Sequence, residues 1–220
     1  MPERTLGIFA KAPVAGRVKT RLAAEIGSRA AAALYRRVGR QVVAASVGRD
    51  YRTIVWFTPP AAGAAVRAWL DGLGVWSFRA QPPGALGTRL AHAFARSFAE
   101  DEGGRGRGEE VVIIGTDCPG LDRRALAQAF AALRTHDVVL GPARDGGYYL
   151  IGLRALEPGL FRGIPWSTSD VTRATRARAR ALGLTCRLLG PLRDVDTAQD
   201  AAALGLLRPP RGVKPDAANY

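Results

Sequence analysis

Lys11 and Lys19 are two of only three lysines in a chain of 220 residues that otherwise takes its positive charge from arginine. They share one short segment, Phe9-Ala10-Lys11-Ala12-Pro13-Val14-Ala15-Gly16-Arg17-Val18-Lys19-Thr20-Arg21-Leu22. Its chemistry suits phosphate. Gly16 lets the backbone approach an anion, the first N–H groups of the helix that follows are unpaired donors, and Lys11, Arg17, Lys19 and Arg21, with Thr20 between the last two as a further nucleotide contact, carry enough charge to neutralise most of a triphosphate. The ending Gly-x-x-Lys-Thr is not a P-loop, which needs glycine directly before the lysine and again five residues earlier, where this chain has Val18 and Pro13. The competing reading, cations that merely coat a helix start, places positive charge at the unfavourable end of the helix dipole without benefit.

Carboxylates follow two later apolar runs. Val111-Val112-Ile113-Ile114-Gly115 leads into Thr116-Asp117-Cys118-Pro119-Gly120-Leu121. A carboxylate there suits a hard divalent cation that bridges to phosphate oxygens, so Asp117 is the first candidate metal ligand. Helix capping is left to Asp122. In Arg193-Asp194-Val195-Asp196-Thr197-Ala198-Gln199-Asp200, Asp196 is the best candidate for a second ligand, against the alternative that Asp196 or Thr197 caps the following helix. In Gly141-Pro142-Ala143-Arg144-Asp145-Gly146-Gly147-Tyr148-Tyr149, Asp145 is a candidate to bind acceptor hydroxyls or to act as a base, while Asp-Gly-Gly alone would be a hairpin turn. Gly146, Gly147 and Tyr148, with Trp166 and Ser167 of a capped helix start, are expected to line an acceptor pocket. In the segment Gln81-Pro82-Pro83-Gly84-Ala85-Leu86-Gly87-Thr88-Arg89, Gly84 and Gly87 would admit a flat base, Gln81 would read its edge and Arg89 would meet a phosphate; a plain loop is the rival.

The elements that must position these groups alternate. Short β-branched runs predict strands near Leu6–Ala10, Thr53–Phe57, Val75–Phe78, Val111–Gly115, Val138–Gly141, Tyr148–Gly152 and Thr185–Leu189, and a helical stretch runs from Leu22 to Val47. This order predicts an α/β fold, Rossmann-like, with a mainly parallel mixed sheet and helices on both faces. In such sheets ligands bind beyond the carboxyl ends of the strands, where the unusual residues fall. A hydrophobic fraction of 47% can fill one sizeable core, which implies one domain over residues 1–207. The glycine-rich segment from Glu100 to Glu110 reads as a surface loop, and the proline-containing tail from Arg208 to Tyr220 as disordered.

The formal charge of +13 is almost all arginine, on helix surfaces such as Arg173, Arg176, Arg178 and Arg180, and no aromatic interleaving marks a single-strand groove. No specific nucleic acid is therefore expected as a partner. Two cysteines, Cys118 and Cys186, make no disulfide framework and, with two histidines, no zinc site. No run approaches a bilayer span and no charged leader precedes an apolar stretch, so a cytoplasmic protein without membrane insertion is expected.

Five ordered motifs, Lys-x-Pro-x-x-Gly-x-Val-Lys-Thr-Arg-Leu, Gly-Thr-Asp-Cys-Pro-Gly-Leu, Gly-Pro-x-x-Asp-Gly-Gly-Tyr-Tyr-Leu-Ile-Gly, Pro-Trp-Ser-Thr and Asp-Val-Asp-Thr-x-x-Asp, resemble the bacterial glycosyltransferase-A-like family of the selenodomain-associated transferase type. That family lies within the nucleotide-diphospho-sugar transferase superfamily, beside the molybdenum-cofactor and phospholactate guanylyltransferases. The resemblance spans about Leu6 to Leu207. It implies a nucleotide over the amino-terminal half of the sheet, Lys11 through Arg21 as the phosphate loop, Asp117 as the principal metal aspartate and Asp196 as the second.

Residues and resemblance together predict a Mg2+- or Mn2+-dependent nucleotidyltransferase that joins a nucleoside triphosphate to a phosphorylated small-molecule acceptor. Lys19 and Arg21 would face the leaving pyrophosphate. A glycosyltransferase using a nucleotide sugar is the alternative, with Asp145 assisting the acceptor, and a non-catalytic nucleic-acid-binding protein a distant one. Four cations in the first loop suit a triphosphate better than a diphosphate. The base, the acceptor and the choice between monomer and homodimer are left open by the sequence.

Overall fold

The computed structural model describes residues 4–75, 77–99 and 110–207. Each of the seven expected strands forms: β1 (Arg4–Lys11), β2 (Arg52–Thr58), β3 (Ser77–Ala80), β4 (Glu110–Ile114), β5 (Val138–Pro142), β6 (Tyr148–Leu153) and β7 (Cys186–Leu188). They make one sheet in the order β3-β2-β1-β4-β6-β5-β7. Every neighbouring pair is parallel except those of β6, which runs antiparallel between β4 and β5. The helices are α1 (Thr20–Ile26), α2 (Ser28–Ser46), α3 (Gly63–Leu70), α4 (Leu86–Ala99), α5 (Arg123–Leu133), α6 (Val171–Ala181) and α7 (Ala198–Ala203).

Both faces of the sheet are covered, so the central strands read as continuous apolar runs. On one face Leu6, Ile8, Val55, Val112 and Ile114 meet Val38 and Val42 of α2, Trp69 of α3 and Leu126 and Phe130 of α5. On the other, Ile54, Trp56, Val111, Ile113 and Ile151 meet Leu90 and Phe94 of α4 and Ala179 of α6. Alternate residues of each strand serve opposite cores, as the pleat requires. Each fully buried large side chain in these layers contributes about 1.5–3 kcal/mol relative to exposure.

Three expectations change. The helix expected from Leu22 to Val47 breaks at Gly27, whose φ of 85° and ψ of 148° stop α1 and let α2 start in a new direction; glycine reaches that conformation without steric cost. The third strand starts later than Val75, because its register is set by β2, where Ile54 pairs with Ser77 and Phe57 with Ala80. Glu110 opens β4 and is buried, with its carboxylate 2.8 Å from Arg4 Nε at the amino end of β1. The remainder of the expected surface loop, 100–109, and the tail, 208–220, lie outside the described residues.

Six strands point the same way, so the segments that follow β1, β2, β3, β4, β5 and β7 leave one edge, and the start of the reversed β6 joins them. Chain connections diverge between neighbouring β1 and β4: the first leads toward β2, the second toward β5. That divergence opens a crevice at the carboxyl edge. Backbone bonds stitch the edge together, from Ala12 N to Thr58 O at 2.8 Å, Gly115 N to Tyr149 O at 3.0 Å and Val195 N to Asp117 O at 3.0 Å.

Candidate active site

The loop after β1 drops Val18 into the core and turns Lys19 inward, while Lys11, Arg17, Thr20 and Arg21 remain exposed. Lys19 takes a left-handed backbone, φ 48° and ψ 52°, at the cap of α1. For a residue with a Cβ this costs about 1–2 kcal/mol, so something must fix it. Its ammonium lies 2.8 Å from Asp196 Oδ1 and 3.0 Å from Asp117 Oδ2, and the side chain is 7% exposed. Burial works against the charge, but the two carboxylates outweigh it and hold the Lys19 pKa above the ordinary lysine value. Arg21 stands farther out, 4.0 Å from Asp196.

Each carboxylate is delivered by a separate element. Asp117 leaves the end of β4; its Oδ1 is buried and has no hydrogen-bond partner among the described residues, whereas its Oδ2 meets Lys19. Asp122 caps α5 by accepting from Ala125 N at 2.9 Å, so Asp117 is free of that duty. Thr197 and Asp200 cap α7 reciprocally, which likewise releases Asp196. The chain beyond β7 continues beside the end of β5, with Leu192 N on Pro142 O and Arg144 N on Leu192 O, both at 3.0 Å. This continuation brings Asp194 and Asp196 to Asp145. Carboxylate oxygens of Asp145, Asp194 and Asp196 lie within 4.8 Å of one another. The half-buried Asp194 carboxyl is pushed up to about 6, by burial first and then by Asp145 and Asp196. An oxygen-only donor set with an orphaned Asp117 oxygen suits a hard divalent cation.

Two cavities flank these groups. One, about 250 Å³, is lined by Lys11, Lys19, Thr20, Arg21, Tyr35, Asp117 and Asp196, with Val18 at its base. The other, about 470 Å³, is lined by Leu86, Asp145, Gly147, Tyr148, Trp166 and the 167–169 segment, with Arg21 and Asp196 shared between the two. Arg21 and Asp196 therefore form the partition. In the second cavity Asp145 Oδ1 accepts from Gly147 N at 2.8 Å, and the Tyr148 and Trp166 rings meet edge to face with centroids 6.4 Å apart. Gly146, at φ 92°, has the Ser169 carbonyl oxygen 2.0 Å from where a Cβ would stand. Ser167 is left-handed at φ 66°. A larger cavity, about 520 Å³, lies elsewhere, between Arg4, Tyr51, Arg123 and Phe130. Two of its arginines are engaged, by Glu110 and by the Val47 carbonyl.

The model of the bacterial family DUF2064, described as an uncharacterized protein conserved in bacteria, matches residues 41–168, more than half of the chain. The chain belongs to this family. A relative of the DUF2064 chain, the 3-phospho-D-glycerate guanylyltransferase of Phenylobacterium zucineum (strain HLK1), is 36% identical over 99 residues, 42% of each sequence, so less than half of that relative's length is matched. Among solved structures, a candidate nucleotide-diphospho-sugar transferase from Desulfovibrio desulfuricans G20 is 32% identical, superposes with a TM-score of 0.83, and is covered over 87% of its chain by 93% of this one. That relationship places the DUF2064 chain among the nucleotide-diphospho-sugar transferases, as its five motifs suggest. A cytidylyltransferase from Leptospira borgpetersenii serovar Hardjo-bovis (strain JB197) shares the fold at 14% identity and a TM-score of 0.55, over 93% of this chain and 85% of that one.

Not every residue singled out in the DUF2064 sequence reaches the two cavities. The Gln81 side chain is buried and donates through Nε2 to Trp56 O at 2.8 Å, which ties it to the sheet. Arg89 Nε donates to Gly84 O at 2.9 Å and closes its own loop, and Gly84 takes φ 114° to allow it. At Gly87 a Cβ would stand 2.8 Å from the Trp166 indole; this glycine makes room for a wall of the second cavity. Tyr35 was not singled out, yet its hydroxyl accepts from Lys11 N and meets Thr116 Oγ1, both at 3.0 Å. Burial first, then Asp117, pushes it up to about 12. Nothing local distinguishes Tyr35 within its helix. Asp194 had a readable signal: Asp194 and Asp196 flank the buried Val195, so in an extended segment they share the opposite side. Cys118 is 3% exposed, and burial followed by Asp194 and Asp117 raises its thiol pKa, which suits a packed residue and not a nucleophile.

Proposed function

We propose that the chain is a cytoplasmic, divalent-cation-dependent nucleotidyltransferase that joins a nucleoside triphosphate to a phosphorylated small molecule. The observation that carries this reading is the pair of cavities meeting at Arg21 and Asp196, one cationic and lined by Asp117, the other polar and aromatic. A triphosphate enters the first, where Lys11 and Arg21 are open to it, with Arg17 exposed on the same loop outside the cavity lining. The acceptor occupies the second, between Asp145, Trp166 and Ser167. An acceptor phosphate oxygen then bonds to the α-phosphorus, the bond from that phosphorus to the β-bridging oxygen breaks, and pyrophosphate leaves toward Lys19 and Arg21. Mg2+ or Mn2+ held by Asp117 and Asp196 would supply charge neutralisation on the phosphates. The protein's own share is positioning and electrostatics, because the transfer needs no covalent intermediate.

The name of the Phenylobacterium relative supports a guanine nucleotide and a phosphorylated hydroxy acid as the first pair to try. No helix among the described residues is long and apolar enough to cross a membrane, which fits a substrate drawn from solution. Purified protein with each NTP, magnesium and a panel of phosphorylated acceptors is expected to release pyrophosphate. Turnover of a nucleotide sugar without pyrophosphate would instead establish the glycosyltransferase reading, which the name of the Desulfovibrio structure keeps open. In calorimetry, Asp117→Ala is expected to weaken magnesium-dependent nucleotide binding at least ~10-fold, the scale of one lost charged contact; equal binding by both proteins would remove Asp117 from the metal site.

A further inference from the structure

Of the two lysines among the described residues, Lys11 is exposed and Lys19 is buried, bridging Asp117 and Asp196. These carboxylates come from loops after β4 and β7, which no other polar side-chain contact joins directly among the described residues. The 2.8 and 3.0 Å separations place one nitrogen against one oxygen of each. A divalent cation drawn to the same two oxygens would approach each to about 2.0–2.6 Å. Ammonium and metal then compete for one place, since a dehydrated ammonium beside a divalent ion has neither water nor free carboxylate to compensate it. The adjoining 250 Å³ cavity, lined by Thr20 and Arg21, offers another partner once an anion enters. Four single bonds let Nζ cross to it while the left-handed Lys19 backbone keeps α1 in place.

We propose that Lys19 and a divalent cation are alternative occupants of the Asp117–Asp196 pair, so that Lys19 excludes the metal until phosphate draws the ammonium away. The coupling to phosphate rests on the nucleotide reading above; the exclusion itself does not. Lys19 acts on the metal as a positioning residue, and metal and nucleotide must then strengthen each other's binding reciprocally.

The test is Mn2+ binding, followed by electron paramagnetic resonance and calorimetry, to wild type, Lys19→Met and the conservative Lys19→Arg, each alone and with a non-hydrolysable GTP analogue. Wild type is expected to bind Mn2+ weakly alone and at least ~10-fold more tightly with the analogue, a coupling of ordinary allosteric size. Lys19→Met is expected to bind Mn2+ alone at least ~10-fold more tightly than wild type and to lose most of the gain from the analogue, while Lys19→Arg keeps it. In thermal unfolding, Mn2+ alone should raise the melting temperature of Lys19→Met more than that of wild type, because it replaces the lost cation. Lys19→Gln repeats the comparison should the methionine variant not fold. Unchanged Mn2+ affinity in both neutral variants overturns the exclusion; so does a cation held instead by Asp145, Asp194 and Asp196, which would appear as a loss of affinity in Asp145→Asn and Asp194→Asn but not in Asp117→Asn. Tighter Mn2+ binding in Lys19→Met with no binding of the analogue by any protein supports the exclusion and overturns guanine as the base, and the same result with analogues of all four NTPs overturns the nucleotide reading.

Discussion

At the residue scale, the site depends on a few positions whose neighbours give them a task that their chemistry alone does not announce. Gly87 illustrates this. Read as a sequence it belongs to a glycine-bearing loop suited to a base, whereas the structure sets the Trp166 indole 2.8 Å from the place of its missing Cβ. Gly87→Ala therefore has to displace Trp166, at a cost of about 1–3 kcal/mol for overpacking. It is expected to raise KM for the acceptor severalfold and to alter tryptophan emission while nucleotide affinity stays within twofold of wild type, scaled to a shift of about 0.4 kcal/mol. Loss of nucleotide affinity would return Gly87 to the base. The same lesson holds for Lys19, whose inward turn depends on two carboxylates 98 and 177 positions away in the chain.

At the element scale, the carboxylate cluster depends on how the chain after β7 is laid against β5. A clasp starts that pairing: Asp137 Oδ2 accepts from Thr185 N at 2.9 Å and from Thr185 Oγ1 at 2.6 Å, while Asp137 N donates to Thr185 Oγ1 at 3.0 Å. The Thr185 hydrogen bonds hold the Asp137 carboxyl below its usual range. A depressed carboxyl contributes stability above its unfolded pKa and loses it as pH falls through the lower folded value. Asp137→Asn is thus expected to lower stability by about 1 kcal/mol at pH 7, a value already reduced for the exposure of this carboxylate. Denaturant titrations from pH 7 to pH 2 should show wild type and variant converging at the acid end. A constant difference would mean that the charge contributes nothing.

At the scale of the whole molecule, the two edges of the sheet do different work. The carboxyl edge gathers exposed cations, orphaned carboxylate oxygen and left-handed backbone; the amino edge carries the Arg4–Glu110 pair, with the Glu110 side chain 5% exposed. Arg4→Ala leaves that carboxylate buried without its arginine, and a loss of about 2–3 kcal/mol is expected, somewhat under the figure for a fully buried pair because Arg4 is itself 31% exposed. Nucleotide and Mn2+ affinities should not change. Denaturation and calorimetry on one preparation check both, and a fall in nucleotide affinity would show that the edges are coupled.

The sequence by itself determined the seven strands, the mainly parallel sheet and the edge where the chemistry lies, because these follow from local hydrophobic periodicity and from the rule that strand ends carry the ligands. It also marked Lys19, Asp117, Asp145 and Asp196 as unusual residues after strands. The break at Gly27 and the late start of β3 were less legible, since φ freedom at one glycine and the register of an edge strand leave little periodic trace. Tertiary structure alone decided that Lys19 lies between Asp117 and Asp196, that Asp194 joins Asp145, that Tyr35 reaches Thr116, and that Gln81 and Arg89 are tied to backbone carbonyls. The physical reason is range: periodicity is read over a few residues, whereas each of these pairings closes a loop whose partners are chosen by sheet order and burial, which no window along the chain contains.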